Sequence, residues 1–271
     1  MNVDAQLLRD VEDIAHRAGS AIMRVYAREF SVQDKADRSP LTEADLAAHT
    51  VIVDDLGTLT PSVPILSEEA VEAFPRSFSG ERYWLVDPLD GTKEFIKRNG
   101  EFTVNIALIE RGRVVLGVVH APAIETTYTA VSGLGAFRQR KDGAAESIHV
   151  AIHQDGAPWR VVGSRSHAGD SLNTFLQRLG AHTMLPMGSS LKLCLVADGS
   201  ADLYPRLGPT SLWDTAAAQC VVEQAGGTVA TLTGEPLSYD DPSAVLNPSF
   251  VVYGRGASNW RDALRHVEAE E

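Results

Sequence analysis

The sequence predicts an α/β protein in which an α+β first half is followed by an α/β second half. Up to about residue 150, two segments with apolar residues at helical spacing precede a series of short strand patterns. Beyond that point, short apolar runs alternate with amphipathic segments. Layers of helix and sheet are therefore expected, with residues 1–150 and 151–271 as two halves that meet near the polar, glycine-rich stretch 133–157.

The first half opens with two predicted helices. Asp4 is placed to cap an amphipathic helix that follows it. Thr42 is placed to cap a second helix running towards Leu56, and Asp45 stands three residues on, at the spacing of a capping box. Strands are then predicted at residues 63–66, 83–86, 102–109, 114–119 and 126–131, with a hairpin turn at Arg111-Gly112.

The second half alternates strands and helices, and Gly226-Gly227 ends the third of its helices. Gly133-Leu134-Gly135 has the first two glycines of a dinucleotide fingerprint but Arg138 at the third position, so it is interpreted as a turn. Strands are predicted at residues 160–162, 183–185, 202–204 and 250–253, and helices at 171–179, 189–197, 214–225 and 259–267.

The composition bounds the possible functions. The chain has 271 residues and is 44% hydrophobic, which is ample for a buried core. Its 36 acidic residues outnumber the 24 lysines and arginines, giving a formal net charge of -12. Such a surface, without a basic stripe, repels nucleic acid polymers. A small phosphate-bearing substrate would need local neutralisation, which a divalent cation can supply.

Cysteine usage and hydropathy indicate the compartment. Cys194 and Cys220 are the only cysteines and both have apolar neighbours, so two buried free thiols in a reducing cytoplasm are expected. The chain start shows neither the basic nor the apolar segment of a secretory signal. No run approaches the roughly 18 consecutive apolar residues of a membrane span. The sequence therefore predicts a cytoplasmic protein without a transmembrane segment.

A run of carboxylates carries the chemistry that the sequence suggests. Asp87 and Asp90 stand three residues apart after an apolar strand, with the carbonyl of Leu89 between them. Two carboxylates that converge repel each other unless a cation lies between them, and Mg²⁺ prefers oxygen ligands. Gly91 and Thr92 then open a predicted helix, whose first N–H groups can hold a phosphate.

Three further carboxylates extend this cluster, and two of them have a competing structural role. Glu68 follows a strand end, where sites of α/β proteins collect their residues. Asp214 opens a helix and could be only its N-cap. Asp45 could likewise only complete the capping box with Thr42. Taken alone, the run around Asp87 could be a polar turn.

Two longer motifs occur in a set order along the chain. The first is Trp84-Leu85-Val86-Asp87-Pro88-Leu89-Asp90-Gly91-Thr92-Lys93-Glu94-Phe95, with Glu68-Glu69 upstream, and the second is Trp213-Asp214-Thr215-Ala216-Ala217 running to Gly226-Gly227. Together they resemble the inositol monophosphatase superfamily of Li⁺-sensitive, Mg²⁺-dependent phosphatases, over nearly the whole chain. The resemblance implies a layered αβαβα sugar-phosphatase fold in which both halves form one catalytic unit.

Further segments resemble one branch of that superfamily. Lys93-Glu94-Phe95 is similar to the 3′(2′),5′-bisphosphate nucleotidases rather than to the inositol enzymes. Lys35-Ala36-Asp37 with residues 39–45, Gly188 to Lys192 and Leu203 to Thr210 resemble the bacterial CysQ type. That group removes the 3′-phosphate from adenosine 3′,5′-bisphosphate, a by-product of sulfate activation, so the resemblance implies this reaction and a role in sulfur metabolism.

The resemblance also implies metal ligands and substrate contacts. Glu68, Asp87 and the Leu89 carbonyl would hold a first Mg²⁺, while Asp87, Asp90 and Asp214 would hold a second, and a third, weaker ion would lie near Glu68. Lys192 would lie near the nucleoside, although it could equally be a solvated helix residue. The implied substrate contacts are Glu68, Leu89, Asp90, Gly91, Thr92, Ser190, Lys192 and Asp214.

The expected mechanism needs no nucleophilic side chain. Water activated by the first Mg²⁺ would attack phosphorus in line, while the second ion stabilises the leaving 3′-oxygen. Glu68 and Thr92 would orient that water, and Asp45 would accept a hydrogen bond from Thr92. Asp45, Glu68 and Thr92 are therefore the predicted catalytic residues.

Several alternatives stay open at this point. An inositol or sugar phosphatase of the same fold is the nearest, although Lys93-Glu94 argues against it. A sensor that binds metal and nucleotide without turnover, and a structural protein whose acidic turns are caps, are the others. The sequence leaves monomer and homodimer open, as well as activity on the sulfated nucleotide PAPS. Family resemblance alone suggests peripheral attachment to the inner face of the cytoplasmic membrane. The acidic surface argues against this attachment, because anionic lipid repels it.

Overall fold

The computed structural model describes residues 2–34, 40–78, 80–164, 169–265 and 267. The segment Lys35-Ala36-Asp37, which is part of the resemblance described above, lies outside these residues. Short 3₁₀ helices span Glu68–Ala73 and Pro122–Ile124. The α-helices of the described residues are α1 (Ala5–Tyr26), α2 (Glu43–Leu59), α3 (Thr92–Ile96), α4 (Asp170–Leu179), α5 (Leu191–Ala197), α6 (Leu212–Gln224) and α7 (Trp260–Leu264).

The strands form two large sheets and two small pairs. They are β1 (Val32–Asp34), β2 (Pro40–Thr42), β3 (Ile65–Ser67), β4 (Arg82–Asp90), β5 (Thr103–Glu110), β6 (Arg113–Ala121), β7 (Thr126–Val131), β8 (Gly135–Arg140), β9 (Glu146–Ser147), β10 (Ile152–His153), β11 (Trp159–Gly163), β12 (His182–Pro186), β13 (Leu203–Arg206), β14 (Thr228–Thr231), β15 (Phe250–Tyr253) and β16 (Arg255–Gly256). The small pairs are β1 with β2 and β10 with β16.

The larger sheet has seven strands in chain order from β3 to β9. Its β3–β4 pair is parallel, and the other neighbouring pairs among the described strands are antiparallel. The connection from β4 to β5 contains α3, and the later connections are shorter. Helices α1 and α2 pack on one face through a core that includes Ile14, Ile52, Trp84 and Ile106. Asp4 caps α1 as predicted, with its carboxylate accepting from two backbone N–H groups.

The second sheet has five strands in the order β12-β11-β13-β15-β14. Helix α6 contacts strands of both sheets, and its apolar residues share one core with α5 and with strands of each half. Helices α4 and α7 pack on the outer face of the second sheet through Phe175 and Trp260. The order of layers is therefore helix, sheet, helix, sheet, helix, which confirms the predicted fold class.

The predicted elements match most of the observed ones, with three corrections. The strand predicted at 83–86 continues to Asp90, because its pairing with β5 resumes after an irregularity between Asp87 and Asp90. Strands β8, β9 and β10 lie within the stretch interpreted as a boundary, and β1, β2, β14 and β16 were not predicted. The final helix ends at Leu264 rather than near residue 267. A boundary between halves near residue 150 stays a prediction.

Candidate active site

Parallel pairing of β3 with β4 brings the first two carboxylates together. Ser67 pairs with Val86, so the residues that follow them in the chain, Glu68 and Asp87, lie next to each other. Asp87 is buried, with 1% of its surface exposed. Burial and the neighbouring carboxylates of Glu68, Asp90 and Asp214 raise the pKa of Asp87 well above its ordinary value, and a hydrogen bond with the Glu68 side chain adds to this.

The turn after Asp87 fixes the orientation of its carboxylate. The backbone N–H of Leu89 donates to Asp87 Oδ1 over 3.0 Å. Gly91 follows with φ 90°, a left-handed conformation that suits glycine, and a Cβ there would lie 3.0 Å from the carbonyl oxygen of Glu101. After this turn α3 begins at Thr92, and Asp90 is the last residue of β4.

Helix α6 contributes the third aspartate of the cluster. Asp214 stands in the first turn of α6 and completes a capping box, its Oδ2 accepting from the backbone N–H of Ser211 over 3.0 Å. Asp214 thus has a capping role, but as the third residue of the helix, because the N-cap is Ser211 and not Asp214 as predicted. The same side chain nevertheless lies in the cluster, because one carboxylate ligand atom from each of Asp87, Asp90 and Asp214 falls within 4.8 Å of the others.

The electrostatics of this cluster fit a cation. Burial raises the pKa of Asp90 to about 6, although the Lys192 ammonium and the N–H of Ser190 oppose the shift. Burial, together with Asp90 and Glu68, raises the pKa of Asp214 to about 8. Carboxylates so close resist ionisation without a counter-charge, and oxygen donors of this kind are the ligands of hard divalent cations. The donor set therefore fits the metal that the sequence implied.

Thr92 lies between the cluster and α2. Its hydroxyl is 3.4 Å from Asp45 Oδ1 and 3.3 Å from the carbonyl oxygen of Leu89. Asp45 is also the capping-box residue of α2, with Oδ2 accepting from the N–H of Thr42 over 2.8 Å and from its hydroxyl over 2.6 Å. The two interpretations of Asp45 are thus compatible, one for each oxygen.

A cavity of about 620 Å³ opens beside Asp90. Cationic side chains of Lys93, Lys192 and Arg206 stand on its wall, together with Glu94. Arg206 donates to the Thr210 hydroxyl and to the Pro209 carbonyl, which holds the guanidinium against the wall. The apolar and small residues that complete the lining are Gly91, Gly163, Ser164, Gly169, Leu172, Gly188, Ser189, Tyr204, Pro205, Leu207, Gly208 and Pro209.

Lys192 and Ser190, two of the predicted substrate contacts, differ in their position relative to the cavity. Lys192 lines the cavity, donates to the Ser189 carbonyl over 2.6 Å, and has its ammonium 5.8 Å from the centre of the Tyr204 ring. Ser190 is 2% exposed and does not line the cavity, whereas Ser189 does. The Ser190 hydroxyl instead contacts Asn105 and Thr103. The Ser190 hydroxyl thus has two protein partners, and contact between Ser190 and substrate stays a prediction.

Sequence reasoning missed Asn105, which donates to Asp90 Oδ2 over 3.4 Å. A signal was available, because Asn105 interrupts the otherwise apolar strand Thr103–Glu110 and a buried amide requires partners. It also missed Arg206 and Tyr204 as cavity residues. They belong to a segment used for the resemblance, but nothing local in it indicates which side chains face a cavity.

Comparison with known proteins agrees with this geometry. The profile of the inositol monophosphatase family matches residues 4–264. The chain belongs to the inositol monophosphatase family. Within this family, the chain is 52% identical over 248 residues to the 3′(2′),5′-bisphosphate nucleotidase CysQ of Escherichia coli K12, covering 91% of this chain and 99% of that protein. It is 43% identical to the protein of the same name from Buchnera aphidicola, covering 95% of each.

Solved structures of the inositol monophosphatase family share the fold. The crystal structure of CysQ from Bacteroides thetaiotaomicron superposes with a TM-score of 0.77 at 37% identity, covering 93% of this chain and 98% of that one. The IMPase of Thermotoga maritima gives a TM-score of 0.77 at 26% identity, covering 97% and 98%. The protein is therefore a metal-dependent phosphatase by family, and the acidic cluster is where such a metal would bind.

Two other sequence predictions can be compared with the structure. Cys194 and Cys220 are both free and buried, as predicted. Within the described ranges, every helix is too short or too polar to cross a bilayer.

Proposed function

We propose that this protein removes the 3′-phosphate of adenosine 3′,5′-bisphosphate to give AMP and inorganic phosphate, and that it also accepts PAPS. The observation that carries this proposal is the position of the Asp87–Asp90–Asp214 cluster at the edge of a cavity with three cationic side chains. The cluster suits a phosphate ester with bound metal, while the cavity suits a second anionic group and a nucleoside. The names of the relatives support the same substrate.

The metal centre would hold two Mg²⁺ ions, with a third, weaker one near Glu68. Glu68, Asp87 and the Leu89 carbonyl would be the ligands of the first ion, and Asp87, Asp90 and Asp214 those of the second. When bound, such ions lower the pKa of water and neutralise charge on the phosphate oxygens. The mutual proximity of the carboxylates and their raised pKa values support this assignment.

The chain's own residues would orient the reacting groups. Glu68 and Thr92 would accept and direct the protons of the attacking water, while Asp45 fixes the direction of the Thr92 hydroxyl. The 3.4 Å contact between Thr92 Oγ1 and Asp45 Oδ1 supports this pairing. The N–H groups near Gly91 and Thr92 would contact the phosphate that is cleaved. No covalent phosphoenzyme is required, so no side chain acts as nucleophile.

The cavity would distinguish a bisphosphate nucleotide from an inositol ester. Its volume of about 620 Å³ lies within the range of pockets for drug-sized ligands. Lys93 and Lys192 would attract the second phosphate, which an inositol monophosphate lacks. Tyr204, Leu172 and Leu207 offer apolar surface for a base. An inositol or sugar phosphatase of the same fold is the second candidate. A monophosphate substrate of that kind would have no second phosphate for Lys93 and Lys192 to bind.

Several wider properties belong to the same proposal. Activity would be inhibited by Li⁺, and the protein would act in the cytoplasm on a by-product of sulfur metabolism. Residues 1–150 and 151–271 would act as one catalytic unit, because the first half supplies most carboxylates and the second supplies Asp214 and much of the cavity wall.

Phosphate release tests the proposal. Adenosine 3′,5′-bisphosphate and inositol 1-phosphate would be compared with Mg²⁺, with chelator and with added Li⁺. We expect rapid, Mg²⁺-dependent and Li⁺-sensitive release from the bisphosphate and slow release from the inositol ester. The reverse preference would retain the metal site but reject the nucleotide substrate. No release from either ester would reject catalysis on both.

A further inference from the structure

Three buried polar side chains form a chain of hydrogen bonds that ends on Asp90. Thr103 Oγ1 lies 2.9 Å from Ser190 Oγ, which lies 2.8 Å from Asn105 Oδ1. The amide nitrogen of Asn105 lies 3.4 Å from Asp90 Oδ2. Thr103, Asn105 and Ser190 are exposed by 0%, 1% and 2% respectively, so water cannot replace these partners at low cost.

The direction of every hydrogen bond in this chain follows from the charge at its end. A carboxylate only accepts, so Asn105 must present its NH₂ group to Asp90 and its carbonyl oxygen to Ser190. The Ser190 hydroxyl must then donate to that carbonyl. Having one hydrogen, it can only accept from Thr103, whose hydroxyl donates. Each donor thus points towards Asp90, and chains of this kind strengthen one another in a buried setting.

A second contact ties the same aspartate to the cavity wall. The backbone N–H of Ser190 also donates to Asp90 Oδ2, across 100 residues of sequence. Both donors therefore contact one oxygen, which sets the direction in which Oδ1 points. Ser190 lies between Ser189 and Lys192, two residues that line the cavity. A displacement of this segment would consequently be transmitted to Asp90.

The segment itself is held in a defined conformation. Ser189 has φ 48°, in the left-handed region that residues other than glycine rarely adopt. The N–H of Gly188 donates to Glu101 Oε2 over 2.8 Å, and a Cβ on Gly188 would lie 2.6 Å from Glu94 Cγ. These contacts anchor the Gly188 end of the segment, while Ser189 and Lys192 line the cavity.

The geometry points to Asn105, Ser190 and Thr103 as positioning residues that orient Asp90 and couple occupation of the cavity to metal binding at Asp90. The inference rests on the proposed function for the identity of the cavity ligand, but its metal part does not. A nucleotide in the cavity would fix segment 188–192, and Ser190 and Asn105 would then hold Asp90 in the orientation that binds metal. By linkage, metal would tighten nucleotide binding by the same factor.

Calorimetric titration of the full-length protein with Mg²⁺, with and without AMP, tests this inference. The variants are Asn105→Leu, which removes the donor to Asp90, Ser190→Ala, which removes only the hydroxyl, and Thr103→Val at the far end. Thr129→Val, a buried threonine of the same sheet on β7, is the matched control. Replacing groups that orient metal ligands typically weakens metal affinity by about 10–100-fold.

We expect Asn105→Leu to weaken Mg²⁺ binding by about tenfold or more and to abolish the tightening by AMP. Ser190→Ala should have a smaller effect, Thr103→Val a smaller one still, and Thr129→Val none. With the bisphosphate as substrate, kcat at fixed Mg²⁺ should fall in the same order, and KM should rise because metal no longer tightens nucleotide binding. A merely structural role would lower the unfolding temperature of each variant without this order in Mg²⁺ affinity.

Wild-type Mg²⁺ affinity in folded Asn105→Leu would overturn the inference. If Asn105→Leu does not fold, the comparison of Ser190→Ala with Thr129→Val tests the inference instead. Equal Mg²⁺ affinities of these two variants would also overturn the inference. Mg²⁺ binding that weakens in the stated order but does not respond to AMP would reject the coupling and retain the positioning role. Failure of the proposed function is separate, because the titration without AMP needs no substrate.

Discussion

Thr92 Oγ1 lies 3.4 Å from Oδ1 of Asp45, although 47 residues separate the two in the chain. The other oxygen of Asp45 accepts from the N–H and the hydroxyl of Thr42, which anchors the carboxylate to the first turn of α2. The helix cap therefore fixes the side chain, and Oδ1 of the carboxylate faces Thr92. Asp45 therefore completes the capping box of α2 and also contacts a proposed catalytic hydroxyl.

Removing the acceptor should separate these two functions. In Asp45→Asn, the amide oxygen can still accept from Thr42, but the NH₂ group then faces Thr92 and donates where an acceptor is needed. Loss of a positioned proton acceptor typically costs about 10²–10⁴-fold in rate. We expect kcat for the bisphosphate to fall by about 10²-fold or more, with KM and the unfolding temperature nearly unchanged.

Thr92→Ser and Thr92→Val provide the matched pair for this prediction. Serine keeps the hydroxyl that contacts Asp45 and should retain most activity, whereas valine keeps the shape and should lose as much as Asp45→Asn. Steady-state kinetics of all three variants would measure this. Equal activities of the serine and valine variants would show that the Thr92 hydroxyl has no part in the reaction.

The charge of Asp90 should matter more for activity than for folding. Asp90→Asn preserves the shape of the side chain and can keep the hydrogen bond from the N–H of Ser190. It also removes one of three converging negative charges, so the repulsion between carboxylates in the metal-free protein decreases. We expect turnover to fall by orders of magnitude while circular dichroism and thermal unfolding stay close to wild type. Near-normal turnover would reject the assignment of Asp90 as a metal ligand.

The raised pKa values predict how the metal-free protein responds to pH. Asp90 and Asp214 have folded pKa values of about 6 and about 8, both raised from 3.8. Between pH 3.8 and 8, the folded state therefore binds more protons than the unfolded state. Stability must then fall as pH rises through this window, which is the opposite of the trend given by carboxylates in ion pairs.

Thermal unfolding in the presence of a chelator, from pH 5 to pH 9, would measure this trend. Asp214→Asn should flatten it, because the variant removes a carboxyl group that titrates within this range. Mg²⁺ should reverse it, since the metal binds ionised carboxylates and competes with protons. A metal-free protein whose unfolding temperature rises steadily across this range would contradict the electrostatic picture of the cluster.

The sequence allowed the layered fold and the carboxylates to be predicted because both depend on local patterns. Capping-box spacing placed Asp45 in the first turn of a helix, Asp214 was predicted to open another, and the motif around Asp87 placed two carboxylates after a strand. Whether such residues cap or bind metal was left open, because spacing does not show that a carboxylate has one oxygen for each task. The structure shows this division at Asp45, where Oδ2 caps and Oδ1 faces Thr92.

Contacts between distant segments could not be predicted in the same way. The N–H of Ser190 reaches Asp90 only after both sheets have formed and α5 has packed between them. The same holds for the Asn105 amide, whose neighbours are Asp90 at the end of β4 and Ser190, the residue before α5. Ser190 was consequently expected to contact substrate, whereas its hydroxyl is directed into the protein.

Close packing beneath α6 links stability to the position of Asp214. Gly117 on β6 lies under this helix, and a Cβ there would be 2.2 Å from the carbonyl oxygen of Ala217 and 2.8 Å from Cys220 Cβ. Backbone cannot yield as the end of a flexible side chain can, so Gly117→Ala must displace the helix. Overpacking of a core typically costs about 1–3 kcal/mol.

We expect Gly117→Ala to lower the free energy of unfolding by about 1–3 kcal/mol and to weaken Mg²⁺ binding, because α6 carries Asp214. Gly57→Ala is the matched control: Gly57 is an exposed residue of α2, and a Cβ there would have no atom within 4 Å. Alanine favours helix over glycine, so this variant should gain up to about 1 kcal/mol. Urea unfolding and Mg²⁺ calorimetry on both variants measure these changes.

A Gly117→Ala protein with wild-type stability would show that α6 can shift freely. Unchanged Mg²⁺ affinity in a destabilised protein would show that the position of Asp214 does not depend on this contact.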